Sequence, residues 1–402
     1  MAVIRPFRAV RPIPSAAARV AAVPYDVVDT DEARALAAGN PLSFLHVSRA
    51  EIDLPDGIDL HDDIVYRTAA QRYLTLKHEA PLIQESDVSF YLYHLAADGY
   101  GQTGIAACYS LAEYDADRIK KHERTRRDKE DDRTRHIVEL RAQTGPVFLT
   151  YRPNVRIEEL SQRVRSSSDA LIDFAAMDGV RHAIWRVPDP EASALVLAFE
   201  SVDALYIADG HHRAASAARA RHHLQDSGDA DCFLAVAFPS DQVRILPYNR
   251  VVRDLGMTAD EFLGEVGRQF SVEPGPAYPK DKGLVSMYVA GAWQTVNLRS
   301  GRSKGQGVID DLDCTVLQEG ILRPILGIQD VRTDKRIDFV GGVKGARALE
   351  QLVDSGKAAV AFSMHPVSVV QLMDVSDAGA IMPPKSTWFE PKLRDGLLIH
   401  EI

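Results

Sequence analysis

Leu205-Tyr-Ile-Ala-Asp-Gly-His-His-Arg213, which runs on into Ala214-Ala-Ser-Ala-Ala-Arg-Ala-Arg221, is the stretch whose reading decides the fold. An apolar segment ends in Asp-Gly and gives way to an alanine-rich one, the pattern of strand, tight turn and helix. The first amides of a helix lack intrahelical partners and carry the positive end of its dipole, so this turn is a ready anion site. Gly210 lets a ligand approach the backbone, and His212 and Arg213 add side-chain donors. The competing reading is a core helix that Asp209 simply N-caps.

Outward from the turn, Cys232–Phe238 is a continuous apolar run, as in a strand covered on both faces, so the local unit is strand, turn, helix, strand. Upstream, Arg181–Val187 reads as a strand and Glu191–Phe199 as a helix. Asp87–Leu95 and Gln102–Leu111 alternate as two strands joined by hairpin residues at Ala97–Gly101. The first hundred residues predict a short strand within Ala2–Val10, helices from Asp31 and over Asp62–His78, and a strand at Ser43–Arg49. Beyond Arg250, helix Thr258–Phe270 and the Pro/Gly-rich stretch Pro274–Pro279 mark a domain boundary. A hairpin over Leu284–Leu298, a helix over Asp311–Leu322, a buried strand at Ala358–Met364 and a helix over Val367–Ser376 follow. Gly305-Gln-Gly307 reads as a turn. The fold class is α/β of mixed α+β type, divided as 1–100, 101–257 and 258–402.

At 402 residues the chain supports two or three cores without metal or disulfide staples. Its net charge of −10 argues against a broad nucleic-acid or anionic-membrane surface while allowing a local basic pocket, so small molecules are the expected partners. Cys108, Cys232 and Cys314 are odd in number and lack C-x-x-C spacing, which predicts buried reduced thiols rather than a disulfide or a zinc site. No apolar run is long enough to span a bilayer or form a signal peptide, and the expected location is cytoplasmic.

The densest charge cluster runs from Arg118 to His136 and can be read as a solvated helix face. On a helix, Glu123, Arg126, Arg127 and Glu130 share one face, which could also line a site for an anionic ligand. Walker, dinucleotide-binding, nucleophile-elbow and H-E-x-x-H signatures are absent. His211 and His212 diverge by about 100° on a helix and make a poor pair of ligands for one metal. What remains suits phosphoryl chemistry: backbone amides, His and Arg for phosphate oxygens, and Asp209 to hold magnesium or orient a hydroxyl.

Asp209-Gly-His-His-Arg213 before a helix, with Lys121-His-Glu123 upstream of an aliphatic strand, resembles the free serine kinases of the ParB/sulfiredoxin-like superfamily. The whole chain is similar to a large bacterial family of unknown function, on the motifs Val23-Pro-Tyr-Asp26, Lys121-His-Glu123, Leu246-Pro-Tyr-Asn-Arg250 and Pro383-Pro-Lys-Ser-Thr387. The resemblance implies a ParB/sulfiredoxin-like nucleotide-binding core, with an additional N-terminal α/β region and a C-terminal α/β domain that contributes to the substrate site. It implies transfer of a phosphoryl group from ADP or ATP, with Mg²⁺, to free L-serine or a similar hydroxylated amino acid. Glu123 would be the general base and Asp209 would position the hydroxyl or the metal. Gly210, His211, His212 and Arg213, with Lys121, His122, Arg126 and Arg250, would hold the nucleotide, and Lys385, Ser386 and Thr387 the substrate. Sulfiredoxins carry cysteine where His211 stands, and ParB proteins have a different turn and a basic DNA-binding domain, so neither activity is expected. A nucleotide-binding regulator without turnover is the alternative.

Overall fold

The computed structural model describes residues 2–79, 81–224, 228–300 and 307–402; Gly305 and Gln306 of the expected glycine turn lie outside them. The chain is a mixed α/β protein of two compact units, one comprising Met1–Val243 with Pro391–Ile402 and the other Arg244–Glu390. This division differs from the one read from the sequence. Residues 1–100 share strands and a core with the turn region, and the second unit begins before Tyr248–Val252, a strand of its own sheet.

Unit 1 is built on a nine-stranded sheet whose strands are β1 (Ile4–Arg5), β2 (Tyr91–Ala97), β3 (Tyr100–Ser110), β4 (Ile119–Lys120), β5 (Val147–Tyr151), β6 (Ile172–Ala175), β7 (Arg181–Arg186), β8 (Leu205–Asp209) and β9 (Cys232–Pro239). The order is β4-β8-β5-β9-β3-β2-β7-β6, with β1 paired to β3. The β2–β3 hairpin and the fully buried β9 are as their patterns predict. β8 runs antiparallel to β5, and β5 parallel to β9, so the strands on either side of the alanine-rich helix run in opposite directions with one strand between them. Parallel pairing of β4 with β8 matches Leu205 to Ile119 and Tyr206 to Lys120. That register brings residues 121–126 and the Asp209 turn to the same sheet edge, at the carboxyl ends of both strands, where α/β folds place their ligands.

Two helices lie on this edge: α1 (Arg127–Leu140) and α2 (His211–Ala220). They pack together through Thr134, whose Oγ1 donates to the Ser216 carbonyl at 3.5 Å, and Arg219, whose Nη1 reaches Glu130 Oε2 at 3.1 Å. A second sheet of unit 1 has the order Leu82–Gln84, Ala9–Pro12, Ile399–Glu401, Ala142–Gln143, so the last residues of the chain close this unit. Ser43–Arg49 is not a strand: Leu45–Ser48 is a helical turn with Leu45 and Val47 buried. Four apolar-rich residues satisfy both periods, and packing chose the helical one.

In unit 2 the strands β10 (Tyr248–Val252), β11 (Ser271–Pro274), β12 (Leu284–Val289), β13 (Ala292–Asn297), β14 (Ile337–Gly341) and β15 (Val360–Met364) form a sheet of order β11-β13-β12-β15-β10-β14. Ala259–Gln269 is a helix with a complete capping box from Thr258 and Glu261, and Asp313–Leu317 runs on as a π-helical turn. No helix among the described residues is long and apolar enough to cross a membrane.

All three cysteines are buried and free. Cys108 and Cys232 are nonetheless neighbours across β3 and β9, and Cys232 Sγ lies 3.8 Å from His400 Nε2. Hydrogen bonding with Cys108, then with His400, draws the Cys232 thiol down to about 6 against the effect of burial.

The closeness of the central strands gives a test. A Cβ on Gly104 of β3 would sit 2.6 Å from Val236 Cγ1 and 2.9 Å from the Ala237 carbonyl oxygen of β9. Gly104→Ala should therefore destabilise unit 1 by about 1–3 kcal/mol through overpacking, read as a lower urea midpoint with an unchanged slope.

Candidate active site

The turn begins where β8 ends. Gly210 has φ +92°, a left-handed conformation, and a Cβ there would lie 3.0–3.3 Å from the Arg213 guanidinium. Glycine is needed both for the turn and for that close approach. No side chain caps α2, and no acidic residue occupies its first turn. Asp209 does not act as the cap. Its Oδ2 instead meets Lys392 Nζ at 3.0 Å and Arg213 Nη2 at 3.6 Å. Burial alone would raise this carboxyl, but Lys392 and then Arg213 reverse the effect and hold it well below the usual carboxylate range.

Glu123 is not helical. After β4 the chain is non-helical, with a bend at Glu123, and α1 starts only at Arg127, with Arg126 at φ −99° and ψ 132°. Glu123, Arg126, Arg127 and Glu130 therefore do not share a helix face, because pairing with β8 holds the beginning of the segment extended. The two histidines of the turn hold the rest. The His122 amide donates to His211 Nε2 at 3.3 Å, and the Arg126 amide to His212 Nε2 at 3.0 Å. Glu123 lies between these clamps, its side chain 57% exposed and its Oε2 3.9 Å from His211 Nδ1. Since His211 Nε2 accepts a hydrogen bond, its neutral ring is assigned the tautomer with the proton on Nδ1, facing Glu123.

His122 and His211 are both buried, their rings edge to face with centroids 4.4 Å apart. Burial pulls His122 down to about 4 and, with His122 beside it, pushes His211 well below the ordinary histidine range. Both are neutral at physiological pH. His212 is lowered as well, chiefly by burial. The His211 and His212 imidazoles are thus acceptors that position the loop rather than cationic phosphate ligands.

Other expected residues are placed differently. Arg213 is buried, its Nη1 donating to the Pro146 carbonyl at 2.5 Å, and points inward rather than across the helix start. Lys121 Nζ donates to the Tyr114 carbonyl at 2.7 Å and lies 4.2 Å over that tyrosine ring. Arg126 pairs with Asp128 at 2.7 Å. Arg250, Lys385, Ser386 and Thr387 belong to unit 2. There Arg250 is buried and donates to the Tyr248 and Lys385 carbonyls, Lys385 has φ +55°, and Ser386 Oγ donates to the Pro383 carbonyl at 2.6 Å. Lys392 and Asp395 were missed by sequence reasoning. Lys392 ends the proline-flanked loop after Met382, and nothing in its local pattern pairs it with Asp209.

Magnesium does not fit well at Asp209. The ion takes oxygen ligands, whereas this carboxylate already faces two cations and its neighbours His122 and His211 offer nitrogen. One ligand atom from each of His122, Glu123 and His211 lies within 4.8 Å of the others, a donor set suited to a transition ion. The amide bond to His211 Nε2 leaves the Nδ1 proton in the way of that role.

Asp395, on the segment that returns to unit 1, is buried with its Oδ1 unpartnered, and burial followed by Asp26 raises it to about 7 despite Arg213 and Arg133.

A family described as "Protein of unknown function (DUF1015)" matches residues 4–315. No curated protein matches the sequence. Among solved structures the chain is similar to a free serine kinase in complex with AMP, at 12% identity and TM-score 0.37, covering 74% of this chain and 91% of that one. It is similar to a conserved hypothetical protein from Pyrococcus furiosus at 12% identity and TM-score 0.36, covering 74% and 95%. SbnI with C-terminal truncation from Staphylococcus aureus matches at 12% identity and TM-score 0.39, covering 72% and 85%.

The raised Asp395 carboxyl makes stability depend on pH. The folded protein holds this proton where the unfolded chain has released it, so the contribution is full below the ordinary value of 3.8 and is lost as pH rises through about 7. Asp395→Asn removes that loss. The variant should melt higher than the parent at about pH 8 and equal it at about pH 4, and a difference independent of pH would refute the assignment.

Proposed function

The chain belongs to the DUF1015 family, and we propose that it is a small-molecule kinase whose phosphoryl-transfer chemistry is carried by unit 1. The observation that carries this reading is the placement of Glu123. It is an exposed carboxylate held between two amide clamps, beside an uncapped helix start and the Asp209–Lys392 pair. Glu123 takes the proton of the acceptor hydroxyl as general base, and the Nδ1–H of His211 orients its carboxylate. The free amides at the start of α2 and the Lys392 ammonium, kept at the carboxyl end of β8 by Asp209, receive the charge of the transferring phosphoryl group. The donor is ADP or ATP and the acceptor L-serine or a similar hydroxylated amino acid, as the motif resemblance implies. A magnesium ion would arrive on the nucleotide's phosphates, and no step here is assigned to it.

A regulator that binds nucleotide without turnover is the second reading, since the same helix start would hold phosphates in either case. Phosphorus NMR of the protein with Mg²⁺, ADP or ATP and L-serine should show O-phosphoserine forming. Glu123→Gln should lower turnover by ~10²–10⁴ while nucleotide binding persists. Nucleotide binding with no product from serine or a panel of hydroxylated compounds would establish the regulator instead.

A further inference from the structure

Unit 1 contains a cavity of about 40 Å³ whose lining includes Tyr25, Arg133, Gln143, Gly145, Arg213 and Asp395. A water needs about 10–15 Å³ by this measure, so the space holds a few small groups. Two of the lining side chains carry buried polar atoms without a partner. Nε and Nη2 of Arg213 are buried without a hydrogen-bond partner, and so is Oδ1 of Asp395. Arg213 is 9% exposed and Asp395 3%. Each abuts a glycine: a Cβ on Gly210 would approach Arg213 Nε to 3.0 Å, and one on Gly145 would meet Asp395 Oδ1 at 2.3 Å. Buried polar atoms left unpaired are destabilising, so this arrangement calls for an occupant.

We propose that the cavity is a subsite for a small α-amino acid, with its carboxylate on the Nε–Nη2 edge of Arg213 and its ammonium on Oδ1 of Asp395. The side edge of a guanidinium presents two parallel N–H donors that match a carboxylate. An ammonium donates to Asp395 Oδ1 and favours the ionised carboxylate over the protonated form that burial otherwise holds up to about pH 7. Val23-Pro-Tyr-Asp26, a motif with no part in the phosphoryl chemistry, acquires a role here: Tyr25 forms part of the wall, and Asp26 adds negative charge close to Arg213 and Asp395. The inference rests on the kinase reading in taking the amino acid to be the phosphoryl acceptor, and Arg213 Nη2, 3.6 Å from Asp209 Oδ2, joins the cavity to the proposed transfer site.

Calorimetric titration with L-serine and with glycerate, which replaces the ammonium by a hydroxyl, tests the subsite directly. Serine should bind at least about tenfold more tightly than glycerate. Asp395→Asn, nearly isosteric, should weaken serine by about tenfold and erase the preference, and Arg213→Gln should weaken both ligands. Should Arg213→Gln fail to fold, the Asp395 comparison decides alone. Equal affinity for the two ligands, no binding of serine at millimolar concentration, or an Asp395→Asn affinity equal to the parent's would overturn the proposal. Serine bound through Asp395 with no phosphoserine formed leaves the subsite standing and removes the kinase. Phosphoserine formed with a KM for serine unmoved by Asp395→Asn does the reverse.

Discussion

Two backbone amides, those of His122 and Arg126, donate to two consecutive imidazoles at the start of α2, and the candidate site depends on these bonds. The segment they hold has left the β4–β8 pairing and has not yet entered α1. Each such bond contributes only about 0.5–1.5 kcal/mol, but together they fix both ends of a five-residue loop and leave Glu123 between them. The divergence of adjacent helical side chains, which disqualifies His211 and His212 as joint ligands of a metal, is what lets them reach two amides four residues apart.

Charge is concentrated inside unit 1 in a way the acidic chain as a whole does not suggest. Asp209 is matched by Lys392 and Arg213, so its ionised form is favoured even where burial opposes it. Arg213 and Asp395 each retain an unsatisfied edge. Proteins seldom bury such groups without a partner, and where they do the group marks either strain or a ligand. Placement of these groups by glycines, which alone permit the contacts at 145 and 210, indicates a built arrangement rather than a packing accident.

Much of the fold was legible because its signals are local. The hairpin at Ala97–Gly101, the capped helix from Asp63 to His78, the buried β9 and the turn after Asp209 each declare themselves within a dozen residues. The errors also have local causes. Ser43–Arg49 is too short for its period to be distinctive, and the charged run around Glu123 is compatible with a helix until a parallel neighbour pulls its beginning into a sheet. The division into units was hidden because the segment Pro391–Ile402 returns to the first unit after the whole of the second has been formed.

The residue types at the site, and the anion-receptive helix start that Asp-Gly-His-His-Arg announces, follow from the sequence by itself, since the geometry of a strand, a glycine turn and a helix is settled by neighbours. Which atoms those residues address was decided by tertiary structure alone. The partners of Asp209, His211, His212 and Arg213 lie 183, 89, 86 and 67 residues away in the chain. No periodicity or spacing rule spans such separations. They are joined only when sheet register and the returning C-terminal segment bring them within hydrogen-bonding distance, and it is this proximity that turns two histidines from phosphate ligands into supports for a glutamate.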